Sequence, residues 1–232
     1  MAYEQIEARL AEVLDRIAAA CERAGRAHED VTVVAVTKGH PAAAVRAALA
    51  VSLADVGENR VQELEDKVSE VGRASVRWHL IGNLQRNKVK RTLPLFDLMH
   101  SLDSVRLARK LSEEAETAGT ETRVLVQVNA AKEDSKSGFE PEALMRGLSE
   151  ICALPRLRVD GLMTMAPFTS DESVLRATFS RVRELRDEAV RRVDGFHPMH
   201  LSMGMSNDYE LAVEEGSTLV RLGTVLFGER EQ

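Results

Sequence analysis

The hydrophobic positions of this 232-residue chain change period along its length. Ile6, Leu10, Val13, Leu14, Ile17 and Cys21 recur every three or four residues, the spacing of an amphipathic helix, and Gly25 follows as a stop. The segment 31–37, Val-Thr-Val-Val-Ala-Val-Thr, is continuously apolar and β-branched, as a strand buried on both faces should be. Beyond it the two patterns alternate. They predict strands at 31–37, 52–56, 76–81, 96–99, 123–128, 157–162, 198–201 and 218–222, with helices at 41–50, 58–71, 86–92, 103–118, 141–152, 171–193 and 207–215. Pro41 suits a first helical turn, Asn207 with Glu210 resembles a capping box, and Gly119 and Gly216 stand just past helix ends.

Strict alternation of strand and helix means a parallel sheet. Eight such units, with no long linker and no shift in composition, favour a closed (β/α)8 TIM-type barrel with an extra N-terminal helix over an open doubly wound sheet. The expected organisation is a single domain over residues 1–232, close to the length of about 250 residues usual for such barrels.

Charge and composition narrow the partners. A formal net charge of −6 argues against a general binder of nucleic acid or anionic membrane. The basic run Arg86-Asn87-Lys88-Val89-Lys90-Arg91 reads as a solvated helix face. No apolar stretch approaches the roughly 18 residues of a membrane span, and Met1-Ala2-Tyr3-Glu4-Gln5 has neither the basic start nor the apolar segment of a signal peptide. Cys21 and Cys152 match no metal or redox spacing and lie in apolar helical patterns. The expectation is a cytoplasmic protein.

Two regions carry candidate chemistry. Lys38 directly follows the apolar strand 31–37, at the strand end where α/β barrels place ligands. A lysine held there can have its pKa lowered by desolvation and condense with a carbonyl; the plainer reading is a lysine that caps the strand and reaches water. The second region is Leu201-Ser202-Met203-Gly204-Met205-Ser206-Asn207 and Leu219-Val220-Arg221-Leu222-Gly223-Thr224, read as the ends of strands seven and eight. Loops there commonly bind phosphate. Ser202, Ser206 and Thr224 offer hydroxyls, and Gly204 and Gly223 allow close backbone approach.

Arg221 is a charge in an otherwise apolar strand and needs an acceptor, either a carboxylate on a neighbouring strand or the ring nitrogen of a cofactor. A lysine aldimine, an arginine beside a pyridine nitrogen and a phosphate site together describe pyridoxal 5′-phosphate (PLP). Asn59, after strand two, is either a helix cap or a donor to a phenolic oxygen. His79 alternates with Trp78, so one of the two faces the barrel interior. His197 and His200 fall on opposite faces of a strand and make no metal pair. Met163 and Met165 read as packing residues. Lys136 lies in the loop after strand five, a second lysine at the mouth or a solvated one.

These residues suit a PLP carrier, a PLP-dependent amino-acid racemase-like enzyme, or a Schiff-base aldolase acting on a sugar phosphate. The aldolase leaves Arg221 without a role. Racemisation needs acid/base groups on both faces of a carbanion, yet Tyr3 and Tyr209, the only tyrosines, stand at no predicted strand mouth.

The blocks Val34-Ala35-Val36-Thr37-Lys38, Gly57-Glu58-Asn59-Arg60-Val61-Gln62-Glu63, Trp78-His79-Leu80-Ile81-Gly82-Asn83-Leu84-Gln85-Arg86-Asn87-Lys88, Ser135-Lys136-Ser137-Gly138, Gly161-Leu162-Met163-Thr164-Met165, Leu201-Ser202-Met203-Gly204-Met205-Ser206 and Val220-Arg221-Leu222-Gly223-Thr224 occur in that order. Together they make the chain resemble the pyridoxal phosphate homeostasis protein family over nearly its whole length, with departures at Thr37 and Arg60. The resemblance implies a barrel like the N-terminal domain of bacterial alanine racemase, with PLP as an aldimine on Lys38. The cofactor-binding set is then Lys38, Asn59, His79, Met165, Ser202, Gly204, Ser206, Arg221, Gly223 and Thr224, with Lys136 as a candidate second lysine and no catalytic or metal-binding residue. It also implies a protein that buffers PLP and delivers it to apo PLP-dependent enzymes, maintaining vitamin B6 and amino-acid homeostasis without robust turnover. With no exposed apolar stripe evident, a monomer is expected.

Overall fold

The eight predicted βα units close on themselves. The structure is a computed structural model and describes residues 3–131 and 137–229. Strands β1 (Thr32–Val36), β2 (Asp55–Glu58), β3 (Arg77–Leu80), β4 (Leu98–Leu102), β5 (Thr122–Gln127), β6 (Leu157–Met163), β7 (His200–Met205) and β8 (Leu219–Leu222) pair in parallel in chain order. β1 pairs with both β2 and β8, which closes the barrel. Around it stand α2 (Ala42–Ala50), α3 (Val61–Val71), α4 (Val89–Thr92), α5 (Val105–Ala118), α6 (Pro141–Cys152), α7 (Glu172–Arg192), α8 (Tyr209–Glu214) and α9 (Thr224–Phe227), preceded by α1 (Ile6–Arg23).

Side-chain alternation divides the core into two layers. Val34, Leu98, Leu125, Met163 and Leu219 meet inside the barrel. Residues of opposite parity, such as Val56, Trp78, Leu80, Val124 and Leu162, pack outward against the helices. α9 has only four residues and cannot cover the seam between β8 and β1. α1 does so instead: Leu10, Val13, Ile17 and Cys21 join Val33, Ala35, Val220 and Leu222 in one buried cluster with α8 and α9. Leu14, on the same predicted stripe, remains about half exposed.

Several boundaries differ from the sequence pattern, each for a local reason. The apolar residues from 52 are a turn, in which Ser52 adopts a φ of 64°, and β2 begins at Asp55 and runs through a buried Glu58. β4 extends to Leu102 through His100 and Ser101, polar residues that the barrel buries. β7 starts at His200 and continues to Met205, so the stretch read as the loop after it is strand. A register shift between Ser202 and Met205 where β7 pairs with β8 accommodates the extension. α8 is preceded by Asp208, whose Oδ1 accepts from Met205 N at 2.6 Å, and not by a capping Asn207. The helix predicted at 86–92 contains α4 only from Val89. Pro41 is the cap of α2, one position before its first turn, and Arg60, not Asn59, is the cap of α3.

Among the described residues, no helix is long and apolar enough to cross a membrane.

Candidate functional site

Strand parity decides which groups reach the C-terminal mouth. Val34 points into the barrel, Val36 lines a cavity of about 220 Å³ above it, and Lys38 lines the same cavity two residues further on. On β8 the inward series is Leu219 and then Arg221. The other walls come from His40, Asn59, Ile81, Met165, Met205, Ser206, Asn207, Gly223 and Thr224. No carboxylate is among the described residues lining the cavity.

Arg221 is buried, and among the described residues it forms no ion pair. Its Nη1 donates to Ser202 Oγ at 2.6 Å and its Nη2 to Thr164 O at 2.9 Å. Burial lowers its pKa to about 10, against the opposing pull of Asp208. The carboxylate partner considered from sequence is therefore replaced by a hydroxyl and a carbonyl, and the positive charge is not neutralised before a ligand arrives.

The strand-seven and strand-eight loops meet at the opposite wall. Ser206 Oγ accepts from Val225 N at 3.5 Å, which ties the end of β7 to the first turn of α9. Thr224 opens that turn, and at Gly223 an added Cβ would lie 3.3 Å from Val36 O, a tight contact that the bare backbone avoids.

The Lys38 segment is anchored from behind. Thr37 Oγ1 makes a short hydrogen bond to Glu58 Oε1. Lys67 Nζ donates to Glu58 Oε1 at 2.6 Å and to Thr37 O at 2.7 Å, and Gly39 N donates to Glu63 Oε2 at 2.7 Å. Burial raises the Glu58 pKa, opposed by Lys67 and Thr37, and Glu58 Oε2 has no hydrogen-bond partner among the described residues.

Of the residues singled out in the sequence, Lys38, Asn59, Met165, Ser206, Arg221, Gly223 and Thr224 converge on the cavity. Three stand behind its wall. Ser202 is fully buried, with its hydroxyl between Arg221 and His100. Gly204 adopts a φ of 94°, and an added Cβ would lie 2.7 Å from Ala212 Cβ, so it lets β7 approach α8 closely. His79 faces the interior as parity requires, but bonds to His100 and Asp55. Lys136 lies outside the described residues.

Sequence reasoning missed His40, which lines the cavity and packs with Tyr3 and Phe227 at centroid distances of 6.0 and 5.5 Å. It also missed Lys67, although a lysine three residues after Leu64 on the apolar face of α3 was a visible signal. His100 and Asp55 were missed because the strand patterns ended too early or began too soon.

The cavity thus presents an amine, a buried cation, two hydroxyls and apolar side walls, a donor set for an anionic ligand that carries a carbonyl. Comparison with known proteins gives the same direction. The model of the alanine racemase N-terminal domain matches residues 13–231. A pyridoxal phosphate homeostasis protein of Aquifex aeolicus is 43% identical over 223 residues, covering 96% of this chain and 97% of that one. The structure of PipY from Synechococcus elongatus with PLP bound is 36% identical and superimposes with a TM-score of 0.85 over 97% of this chain and all of PipY. An alanine racemase of Clostridium difficile, 15% identical with a TM-score of 0.76 over 97% of this chain and 57% of the racemase, shares the fold.

Proposed function

Because the chain belongs to the alanine racemase N-terminal domain family and, within it, to the pyridoxal phosphate homeostasis proteins, we propose that it binds PLP in this cavity as a carrier. It holds the cofactor, buffers the free pool and hands it to apo PLP-dependent enzymes. The observation that carries this reading is the cavity lining: Lys38, Arg221, Ser206 and Thr224 converge on it, with no carboxylate among its described residues.

Bound there, PLP supplies an aldehyde that condenses reversibly with an amine, releasing one water. Lys38 provides that amine. Ser206, Thr224 and the bare backbone at Gly223 hold the phosphate. The permanent cation of Arg221 faces the ring nitrogen and disfavours its protonation, since two positive charges in contact repel. Asn59 would serve as a donor to the phenolic oxygen, and Val36, Ile81 and Met165 would supply apolar wall to the ring. Ser202 and Gly204 act one layer back, the first on Arg221 and the second on the packing of α8.

The carrier is non-catalytic, acts as a monomer, and works in the cytoplasm. The homeostasis name of its relatives supports the non-catalytic role, and the racemase-like alternative is decided by turnover. Assays across the common amino acids should give rates close to free PLP; a kcat of order 1 per second or above, within the ordinary enzyme range, refutes a pure carrier. Borohydride reduction followed by peptide mapping tests the site. A pyridoxyl adduct on the Lys38 peptide is expected, and an adduct mainly on Lys136 overturns the assignment.

A further inference from the structure

Six side chains form one unbroken line of hydrogen bonds through the barrel interior. Arg221 Nη1 reaches Ser202 Oγ at 2.6 Å, and Ser202 Oγ lies 2.9 Å from His100 Nδ1. His100 Nε2 lies 2.8 Å from His79 Nδ1, and His79 Nε2 lies 2.9 Å from Asp55 Oδ1. Asp55 in turn accepts from Arg77 Nε at 2.8 Å, and the Arg77 side chain is largely exposed. The line joins the cavity to the N-terminal end of the barrel. None of its middle members lines the cavity.

The direction of this line is forced from its Arg221 end. A guanidinium only donates, so Ser202 Oγ must accept from Arg221. The Ser202 proton then has one acceptor within reach among the described residues, His100 Nδ1. His100 therefore carries its proton on Nε2 and donates it to His79 Nδ1. His79 carries its proton on Nε2 and donates it to the Asp55 carboxylate. Reversing any link leaves the buried Ser202 hydroxyl without an acceptor, at the cost of an unmade buried hydrogen bond.

The surroundings of His100 agree with a neutral ring there. Burial holds His100 well below the usual histidine range, and the Arg221 charge pushes in the same direction. Burial also lowers His200, beside the Arg123–Asp160 pair. The carboxylates nearest the two ends are Asp55, bonded to His79, and Asp208, which acts on Arg221 from a distance.

We propose that His100, His79 and Ser202 are positioning residues that aim the Arg221 guanidinium at the ligand's ring nitrogen, through a one-way relay anchored on Asp55. The role in binding rests on the PLP reading above; the relay itself does not.

Two measurements test it. In ligand-free protein, nitrogen-15 NMR of the histidine side chains should show the ring proton on Nε2 in both His79 and His100. A proton on Nδ1 of either ring, or on both nitrogens, overturns the relay. Binding is then compared for PLP and for its analogue with C–H in place of the ring nitrogen. His100→Phe and Ser202→Ala should weaken PLP about tenfold, the loss of roughly one charge-assisted hydrogen bond, and leave the analogue unchanged. His100→Asn, which retains an acceptor for Ser202, should recover most of the PLP affinity. Equal weakening of both ligands, or weakening of neither, overturns the positioning role. Absence of the Lys38 adduct in the wild type would instead defeat the PLP reading, while the NMR result still decides the relay.

Discussion

Lys67 Nζ lies 2.6 Å from Glu58 Oε1, and both side chains are almost completely buried. A helix cation and a strand anion thus meet behind the peptide that carries Lys38, with Thr37 bonded to both. Removing one partner of such a pair strands the other charge. Lys67→Met should destabilise the fold by about 3–5 kcal/mol, whereas the double variant Glu58→Gln/Lys67→Met should recover a large part of that loss. Urea unfolding of the three proteins checks this, and a double variant no more stable than Lys67→Met contradicts it.

Asp55 gives the fold an acid-sensitive element. Burial alone would raise its pKa, but hydrogen bonds from His79 and Arg77 outweigh that effect and hold it at about 2, below the usual 3.8 of an aspartate. A depressed carboxyl stabilises the folded state above the unfolded pKa and loses that contribution as pH falls through the folded value. About 2 kcal/mol should disappear between roughly pH 4 and pH 2. Urea midpoints measured across this window should fall more steeply for the wild type than for Asp55→Asn.

The phosphate assignment separates two ligands. Ser206→Ala and Thr224→Val should each weaken PLP about tenfold, as expected for the loss of a hydrogen bond to a charged group. Pyridoxal, which lacks the phosphate, should bind as it does to the wild type. Titrations followed by absorbance read both. Equal losses for the two aldehydes would place the phosphate elsewhere.

Gly161 is a position where nothing larger fits. Its φ is 150°, and an added Cβ would fall 1.9 Å from His200 O on the neighbouring strand. Gly161→Ala should cost about 4 kcal/mol or more, in the range reserved for severe backbone and packing conflicts. Its thermal midpoint should drop sharply or soluble protein should be lost; a midpoint within a few degrees of wild type would contradict the geometry.

The barrel and most of the cavity wall were legible because they depend on pattern. Alternation of strand and helix predicts closure, and the parity of Val34, Val36 and Lys38 predicts which wall the amine joins. The interior polar line was not legible, because its members are separated in sequence and each looks ordinary alone. His79 reads as a strand histidine facing the interior, Asp55 is one residue within the predicted strand 52–56, and His100 lies just beyond the predicted strand 96–99. Ser202 and Gly204 read as loop residues, because polar and glycine residues usually end strands. In β7 a register shift and a buried guanidinium give those residues interior partners. Lys67 was hidden for the opposite reason: its helix position demands burial, while its charge suggests solvent.

The use of α1 to seal the β8–β1 seam has a consequence for how the chain acquires its structure. Arg9 Nη1 donates to Leu226 O across 217 positions of sequence, so the seam closes only after nearly every other element exists. Contacts of such long range form slowly and late. During synthesis, the apolar face of α1 must wait while β1 through β7 emerge, exposed to wrong partners for the whole interval. Ribosomal pauses or chaperone capture over that interval would therefore act on α1 more than on any other element of the barrel.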